Sequence, residues 1–278
     1  TLSFPAEIVI KTEEENIISA NTNTVDSSKG LELTFEKFIV APTNQFAYYA
    51  AKTVAQKPGS VHNTLFIYGK SGVGKTHLVN AIGLKTKELH PQKKVLYVSA
   101  NLFQQQYTEA NKNGQVNDFL NFYQTVDVLI IDDIQEFGEG KKVSTQNQFF
   151  HIFNHLHQSG KQLILTCDKK PADLEGMEDR LLSRFKWGLS AEIESPSLET
   201  RKAILKMKSE KDGLELPEDV INYIAETVTD NIRNLEGSII SLIAYSTVYQ
   251  QPIDINLARK VVSNIVHVEE KEQTVKSI

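Results

Sequence analysis

The pattern of apolar and polar positions changes character along the chain. From Leu31 to about residue 195, short apolar runs bounded by polar turns alternate with longer stretches of helical spacing. The runs Leu65–Tyr68 (LFIY), Val95–Val98 (VLYV), Val128–Ile131 (VLII) and Leu163–Thr166 (LILT) read as buried strands. Between them, Thr76–Leu89, Asn101–Tyr123 and Thr145–Ser159 carry helical spacing. Strands alternating with helices predict an α/β fold, a parallel sheet flanked by helices. After Pro196 the strand pattern stops. Leu198–Lys211, Pro217–Val228, Asn231–Tyr249 and Ile255–His267 all read as helices, with Gly213 placed to stop one and Pro217 to start the next. The expected organisation is an α/β domain over 31–195 followed by a small all-helical domain over 196–268. No internal repeat is visible.

The first thirty residues lack this pattern. They hold five acids (Glu7, Glu13, Glu14, Glu15, Asp26), two lysines (Lys11, Lys29) and one aromatic, Phe4, and they run into the polar tract ISANTNTVDSSKG. So little apolar surface does not offset the entropy of ordering a chain, so residues 1–30 are expected to be a poorly ordered linker or tail.

At 278 residues there is room for one large domain or two smaller ones, and 40% hydrophobic residues supply a sizeable core. No run of 18 apolar residues occurs, and TLSFPAEIVIKTEEEN lacks the basic start and apolar stretch of a signal peptide. No membrane-spanning segment is therefore expected. The single cysteine, Cys167, excludes an internal disulfide and suits a cytoplasmic protein. The net charge is −5, of which −3 sits in residues 1–30 and −2 on the other 248. Such a surface is no polycation, so any nucleic-acid contact must be local.

The sharpest chemical signal is Gly69-Lys-Ser-Gly-Val-Gly-Lys75-Thr76, a complete G-x-x-x-x-G-K-[ST] between the strand LFIY and the helix THLVNAIGLKTKEL. Gly69, Gly72 and Gly74 let backbone N–H groups turn inward around phosphate oxygens, and the helix N-terminus adds partial positive charge. Lys75 can reach β- and γ-phosphates, and the Thr76 hydroxyl can ligate Mg²⁺. Ser71, Val73 and His77 complete the expected contacts to ATP or ADP. The run Val126-Asp-Val-Leu-Ile-Ile-Asp132-Asp133 delivers two carboxylates at the C-terminal end of a strand, where parallel sheets place their ligands. Alone, such a pair reads equally as a solvated turn. Downstream of a phosphate loop, Asp132 is expected to hold Mg²⁺ and Asp133 to orient or deprotonate an attacking water.

With these motifs on view, the chain resembles the AAA+ ATPases, in the initiator and helicase-loader branch that contains the bacterial chromosomal replication initiators. The likeness runs from about Leu33 to His267 and is carried by FEKFIVAPTNQFAYYAA, GKSGVGKTHL, VDVLIIDDIQ, FFHIFNHLHQSGKQLILTCDKKP, MEDRLLSRFKWGL and NIRNLEGSI. The resemblance implies that Asp168 senses the γ-phosphate within the subunit. It implies that Arg184 is an arginine finger reaching a nucleotide held by a neighbouring copy, with Arg180 in the same box. Arg233 would be a second arginine touching the γ-phosphate in cis, and Val40 and Asn44 would pack around adenine and ribose. One arginine in cis and another in trans would make self-association depend on ATP.

In this family an inserted helical region lines a channel for single-stranded DNA. Here it would be Asn101–Tyr123, where Thr108 stands at a usual contact position and Lys112 is the one lysine. Lys141 and Lys142, in the loop EFGEGKKVSTQNQ, are further candidates for DNA phosphates, or a solvated loop. Asp133 stands where mechanical AAA+ enzymes carry Glu, and one methylene less predicts slow hydrolysis with ATP acting as a switch. The chain ends near where the family's duplex-binding domain would start, so 269–278 is expected to begin a connector.

The implied function is a replication initiator core that oligomerises with ATP on origin DNA, engages single strands, and is reset by hydrolysis. Replicative helicase, its loader and regulatory proteins are possible further partners. The alternatives are a helicase loader or Hda-like regulator, and, in a different class, a small-metabolite kinase, against which the all-helical end argues. His151, His155 and His157 share helical spacing but lack the Glu of H-E-x-x-H, since residue 152 is Ile; they and Cys167 are expected to be structural.

Overall fold

The computed structural model describes residues 33–60, 62–140, 142–211 and 213–264. The expected tail (1–30), the connector (269–278), Lys141 and the end of the helical domain beyond residue 264 lie outside the described residues. The chain divides into two compact units. One runs to Gly69 and resumes over Gly74–Ile193; the other joins Lys70–Val73 with the chain from Glu194.

The first unit is a five-stranded sheet flanked by helices, the α/β architecture expected. Strands β1 (Thr64–Tyr68), β2 (Val95–Ser99), β3 (Val128–Asp132), β4 (Gln162–Cys167) and β5 (Leu189–Glu192) lie in the order β2-β3-β4-β1-β5. Every neighbouring pair is parallel. All of β3 and β4 is buried, which is why their runs are continuously apolar rather than alternating. Helices α1 (Gln45–Gln56), α2 (Lys75–Leu89), α3 (Ala100–Lys112), α4 (Val116–Gln124), α5 (Val143–Gln158) and α6 (Asp179–Trp187) accompany the sheet.

Three features depart from the sequence pattern. Strand β5 was not expected, because only Ala191 of Leu-Ser-Ala-Glu is buried and an edge strand this short shows no alternation. Helices α1 and α6 were not among the expected elements either, although each carries apolar positions at helical spacing: Ala47, Ala51, Val54 and Ala55 in α1, and Leu181 and Phe185 in α6. The segment 101–123 is two helices rather than one. Gly114, at φ 69°, stops α3: its N–H donates to the Asn111 carbonyl at 3.3 Å and the Gln115 N–H to the Ala110 carbonyl at 2.8 Å. This paired closure uses the left-handed conformation that glycine adopts without strain.

Aromatic rings tie α3 and α4 to the rest of the unit. Phe103 lies 5.2 Å from Phe119, 4.9 Å from Tyr123, 5.5 Å from Phe137 and 5.8 Å from Phe149, centroid to centroid. All five rings are buried. Edge-to-face packing at these separations adds about 0.5–1.5 kcal/mol per pair beyond the area buried.

The second unit is helical: α7 (Leu198–Lys211), α8 (Glu218–Thr227), α9 (Ile232–Tyr249) and α10 over 255–264. Its core gathers Leu205, Val220, Ile224, Leu235, Ile239, Leu242 and Ala258. Arg201 ties the start of the unit to α8, donating to the Ala225 and Pro196 carbonyls at 2.7 Å each. Asn231 caps α9 by accepting the Asn234 N–H at 2.8 Å. Among the described residues no helix is long and apolar enough to cross a membrane.

Candidate functional site

The strand order decides where the chemistry meets. In the series β3-β4-β1, three neighbouring C-terminal strand ends release Asp132 and Asp133, Asp168, and the loop from Gly69. This is the edge at which open parallel sheets bind ligands.

The loop has the backbone that its glycines permit, with φ of 154° at Gly69, 75° at Gly72 and 105° at Gly74. A Cβ on Gly74 would meet the Phe38 ring at 3.3 Å in addition to the strained φ. Lys75 opens α2, is 6% exposed, and donates its Nζ to the Gly69 carbonyl at 2.8 Å. Burial pushes its pKa down, against the pull of Asp133, Asp132 and Asp168. The amine thus sits inside the cradle that a phosphate chain would occupy. Val73 is buried and Ser71 exposed. His77 bonds the Thr34 carbonyl at 2.8 Å and meets Phe38 edge-on at 5.2 Å.

Asp132 is 3% exposed, a buried carboxylate, and three hydroxyls serve it. Thr76 Oγ1 donates to Oδ2 at 2.8 Å, Tyr97 Oη donates to the same oxygen at 2.7 Å, and Thr166 Oγ1 donates to Oδ1. The Tyr97 phenol is pushed far above its ordinary pKa, first by burial and then by the Asp132 charge. Strand register explains the set: Asp132 follows Ile131, which pairs with Leu165, so Thr166 falls beside it. Thr166 also accepts the Asp133 N–H at 2.8 Å, so one hydroxyl fixes both acids. Asp133 turns out of the strand into the left-handed region, φ 59° and ψ 51°, which Asp tolerates better than most residues. Its Oδ1 accepts the Gln135 amide at 3.0 Å, and the Gln135 oxygen accepts the Asp168 N–H at 3.3 Å. Gln135 therefore bridges the second acid and the end of β4.

Carboxylate and hydroxyl oxygens from Asp132 and Thr76, 2.8 Å apart, are the hard donors that Mg²⁺ selects, so the residues present fit that ion. Beside them Cys167 is buried, and burial pushes its thiol up to about 12, which leaves it unreactive.

The remaining expected residues fall in distinct places. Asn44 is buried and holds its own turn, accepting the Ala41 N–H at 2.9 Å and donating to the Ile39 carbonyl at 3.0 Å, while Val40 is exposed. Arg180 and Arg184 share one face of α6, over Phe150 of α5 at 4.6 and 5.9 Å. Arg180 is paired with Glu178 at 2.5 Å, whereas Arg184 lies over the Trp187 ring at 4.2 Å. Arg233 is exposed in the first turn of α9, in the second unit. Thr108, Lys112 and Lys142 line one open polar cavity of about 490 Å³, together with Asn101, Gln104, Gln105 and Glu109. The fourth DNA candidate, Lys141, lies outside the described residues.

Tyr97, Thr166 and Gln135 escaped the sequence reading. Their signal is a polar residue interrupting an apolar strand, as Tyr97 interrupts VLYV and Thr166 interrupts LILT; Gln135 carries none.

A family model described as the bacterial DnaA ATPase domain matches residues 31–192. The chromosomal replication initiator protein DnaA of Bacteroides fragilis is 57% identical over 245 residues, covering 88% of this chain and 51% of that protein. The chain spans about half the length of the curated relatives it matches. Among solved structures, domain III of the Thermotoga maritima replication initiation protein DnaA is 42% identical, with a TM-score of 0.80, covering 84% of this chain and 97% of that one. A replication initiator DnaA bound to AMPPCP and single-stranded DNA is 34% identical, with a TM-score of 0.69, covering 84% of this chain and 81% of that one.

Proposed function

Since this chain belongs to the bacterial DnaA ATPase-domain family, we propose that it is the nucleotide-switched core of a cytoplasmic replication initiator. It binds ATP, assembles with further copies on origin DNA, engages single strands to promote duplex opening, and returns to its resting state by slow hydrolysis. The observation that carries this reading is the convergence of the glycine loop, Lys75, the caged Asp132 and the Gln135-bridged Asp133 at one sheet edge. The relative solved with AMPPCP and single-stranded DNA supports the two ligands.

Backbone N–H groups of Gly69–Thr76 cradle the phosphates, and Lys75 exchanges its bond to the Gly69 carbonyl for β- and γ-phosphate oxygens. Thr76 and Asp132 would hold Mg²⁺, which would supply positive charge against the phosphates. Water attacks the γ-phosphorus as the bond to the β–γ bridging oxygen breaks; Asp133 orients that water and accepts its proton. Asp168 reads the γ-phosphate from the end of β4, Arg233 reads it in cis, and Arg184 reaches the nucleotide of a neighbouring copy. Val40, Asn44 and His77 pack around the nucleoside end, and Arg180, in the same box as Arg184, contributes to nucleotide binding. Asp133 is one methylene shorter than Glu and tethered by Gln135, which favours slow turnover. Thr108, Lys112, Lys141 and Lys142 contact the single strand; helicase, its loader and regulators are the expected further partners.

Light scattering with a short single-stranded DNA tests the reading, comparing Mg-ATP with Mg-ADP and using Arg184→Ala as control. Mass growth in ATP alone, abolished by the substitution, is expected. A chain that stays monomeric in both nucleotides, or grows equally in both, would refute it.

A further inference from the structure

Arg184 and Arg180 sit on the same helix face, yet they are held in opposite ways. Arg180 Nε spends a donor on Glu178 at 2.5 Å. Arg184 has no carboxylate partner among the described residues; aromatic faces alone hold its guanidinium, Trp187 at 4.2 Å and Phe150 at 5.9 Å. Trp187, the only tryptophan in the chain, is 66% exposed. An indole this exposed presents a large π-face at the surface, where a cation can stack on it.

We infer that Trp187 is a positioning residue for Arg184, whose indole face fixes the guanidinium plane at the surface while leaving its N–H edge free for the γ-phosphate of a neighbouring copy. The inference rests on the trans role proposed for Arg184. A planar guanidinium offers its π-face to a ring and its five N–H donors around the edge, so stacking and bidentate phosphate binding use different parts of the group. An ion pair would orient the arginine equally well but would occupy the donors the phosphate needs and cancel the charge it answers to. Stacking on the last residue of its own helix also removes rotamer freedom before the partner arrives, lowering the ordering cost of association. Trp187 is three residues from Arg184 on α6, the spacing that lets their side chains meet, and Phe150 of α5 adds a second ring at 5.9 Å.

The test uses the full chain as parent, Arg184→Ala, Trp187→Ala and Trp187→Phe, with ATP turnover per chain measured as protein concentration rises. In the parent, turnover climbs with concentration as fingers enter neighbouring sites; in Arg184→Ala it stays flat. Trp187→Ala reduces the concentration-dependent part about three- to thirtyfold, the range a face-on cation–π contact supports from exposed to desolvated settings. Trp187→Phe, which keeps a π-face, recovers most of it, while melting temperatures stay together because residue 187 is exposed. The emission of the sole tryptophan reports the stack directly and shifts in monomeric Arg184→Ala. Trp187→Ala matching the parent while Arg184→Ala is flat, or Trp187→Phe failing as badly as Trp187→Ala, would overturn the positioning role. Arg184→Ala behaving as the parent would instead bring down the trans reading beneath it.

Discussion

Replacing Thr166 by Val exchanges one hydroxyl for a methyl group of similar size. The side chains have matched shapes, so no cavity opens, and Thr166 is fully buried, so no water reaches in to compensate. Two bonds are lost together: the donor to the Asp132 carboxylate and the acceptor of the Asp133 N–H. A bond to a charged group contributes about 1.5–3 kcal/mol, and a buried polar group left unpaired costs about 1–3 kcal/mol. Asp132 keeps Thr76 and Tyr97, and the Asp133 N–H is only partly buried, so the expected loss is about 3 kcal/mol rather than the upper sum. Equilibrium denaturation in urea reads this as a lower midpoint at constant slope. Thr166→Ser, which restores the hydroxyl, regains most of it. The same substitution frees the carboxylate proposed to hold Mg²⁺ to rotate, so the Mg²⁺ needed to half-saturate binding of a fluorescent ATP analogue rises about tenfold, the usual effect of losing an outer-shell partner. A Thr166→Val chain within about 0.5 kcal/mol of the parent, with an unchanged Mg²⁺ requirement, would refute the idea that one hydroxyl fixes both acids.

Two further outcomes follow from buried groups at the same edge. Lys75→Met removes a cation whose charged form burial disfavours, so the nucleotide-free protein melts at or above the parent temperature. ATP then no longer adds the roughly 2.7 kcal/mol that ligand at a hundredfold its Kd supplies; an ATP-dependent rise equal to the parent's would contradict the role given to Lys75. Because the folded pKa of Lys75 is depressed, the parent also gains stability as pH rises through that value, and Lys75→Met loses this gain. Cys167, its thiol pushed up to about 12, resists iodoacetamide at neutral pH in the native chain and reacts once denatured, as intact mass reads out. Its raised pKa contributes stability that is intact below the unfolded thiol pKa and is lost as pH climbs through the folded one. Rapid native alkylation would show the strand end to be open.

What could be read before the fold depended on whether a signal was local. The phosphate loop is a contiguous run whose glycines, lysine and threonine act on one another within eight residues, so spacing alone declares it. Asp132 and Asp133 end an apolar run and declare a strand terminus in the same way. The cage around Asp132 is different: Tyr97 and Thr166 come from β2 and β4 on either side of β3, and Thr76 from the first turn of α2, so only the assembled sheet brings the three hydroxyls together. Gln135, between Asp133 and Asp168, likewise owes its place to β3 and β4 being neighbours. Strand β5 was silent because an edge strand with one buried residue has no alternation to show. The break at Gly114 was present in the sequence as a glycine but was outweighed by apolar positions that continue on both sides of it.

The two helices on either side of that break keep their inward and outward business separate. Inward, Phe103, Tyr107 and Ala110 of α3 and Phe119 and Tyr123 of α4 are buried in a shared aromatic core. Outward, α3 presents Asn101, Gln105, Thr108, Glu109 and Lys112, all exposed and none needed for that packing. A lineage can therefore rewrite the outer face one residue at a time, trading charge, length or hydrogen-bonding character, without disturbing either the ring cluster or the phosphate edge of the sheet. The fold mounts an outer face that is free to change on a buried frame that packs independently of it.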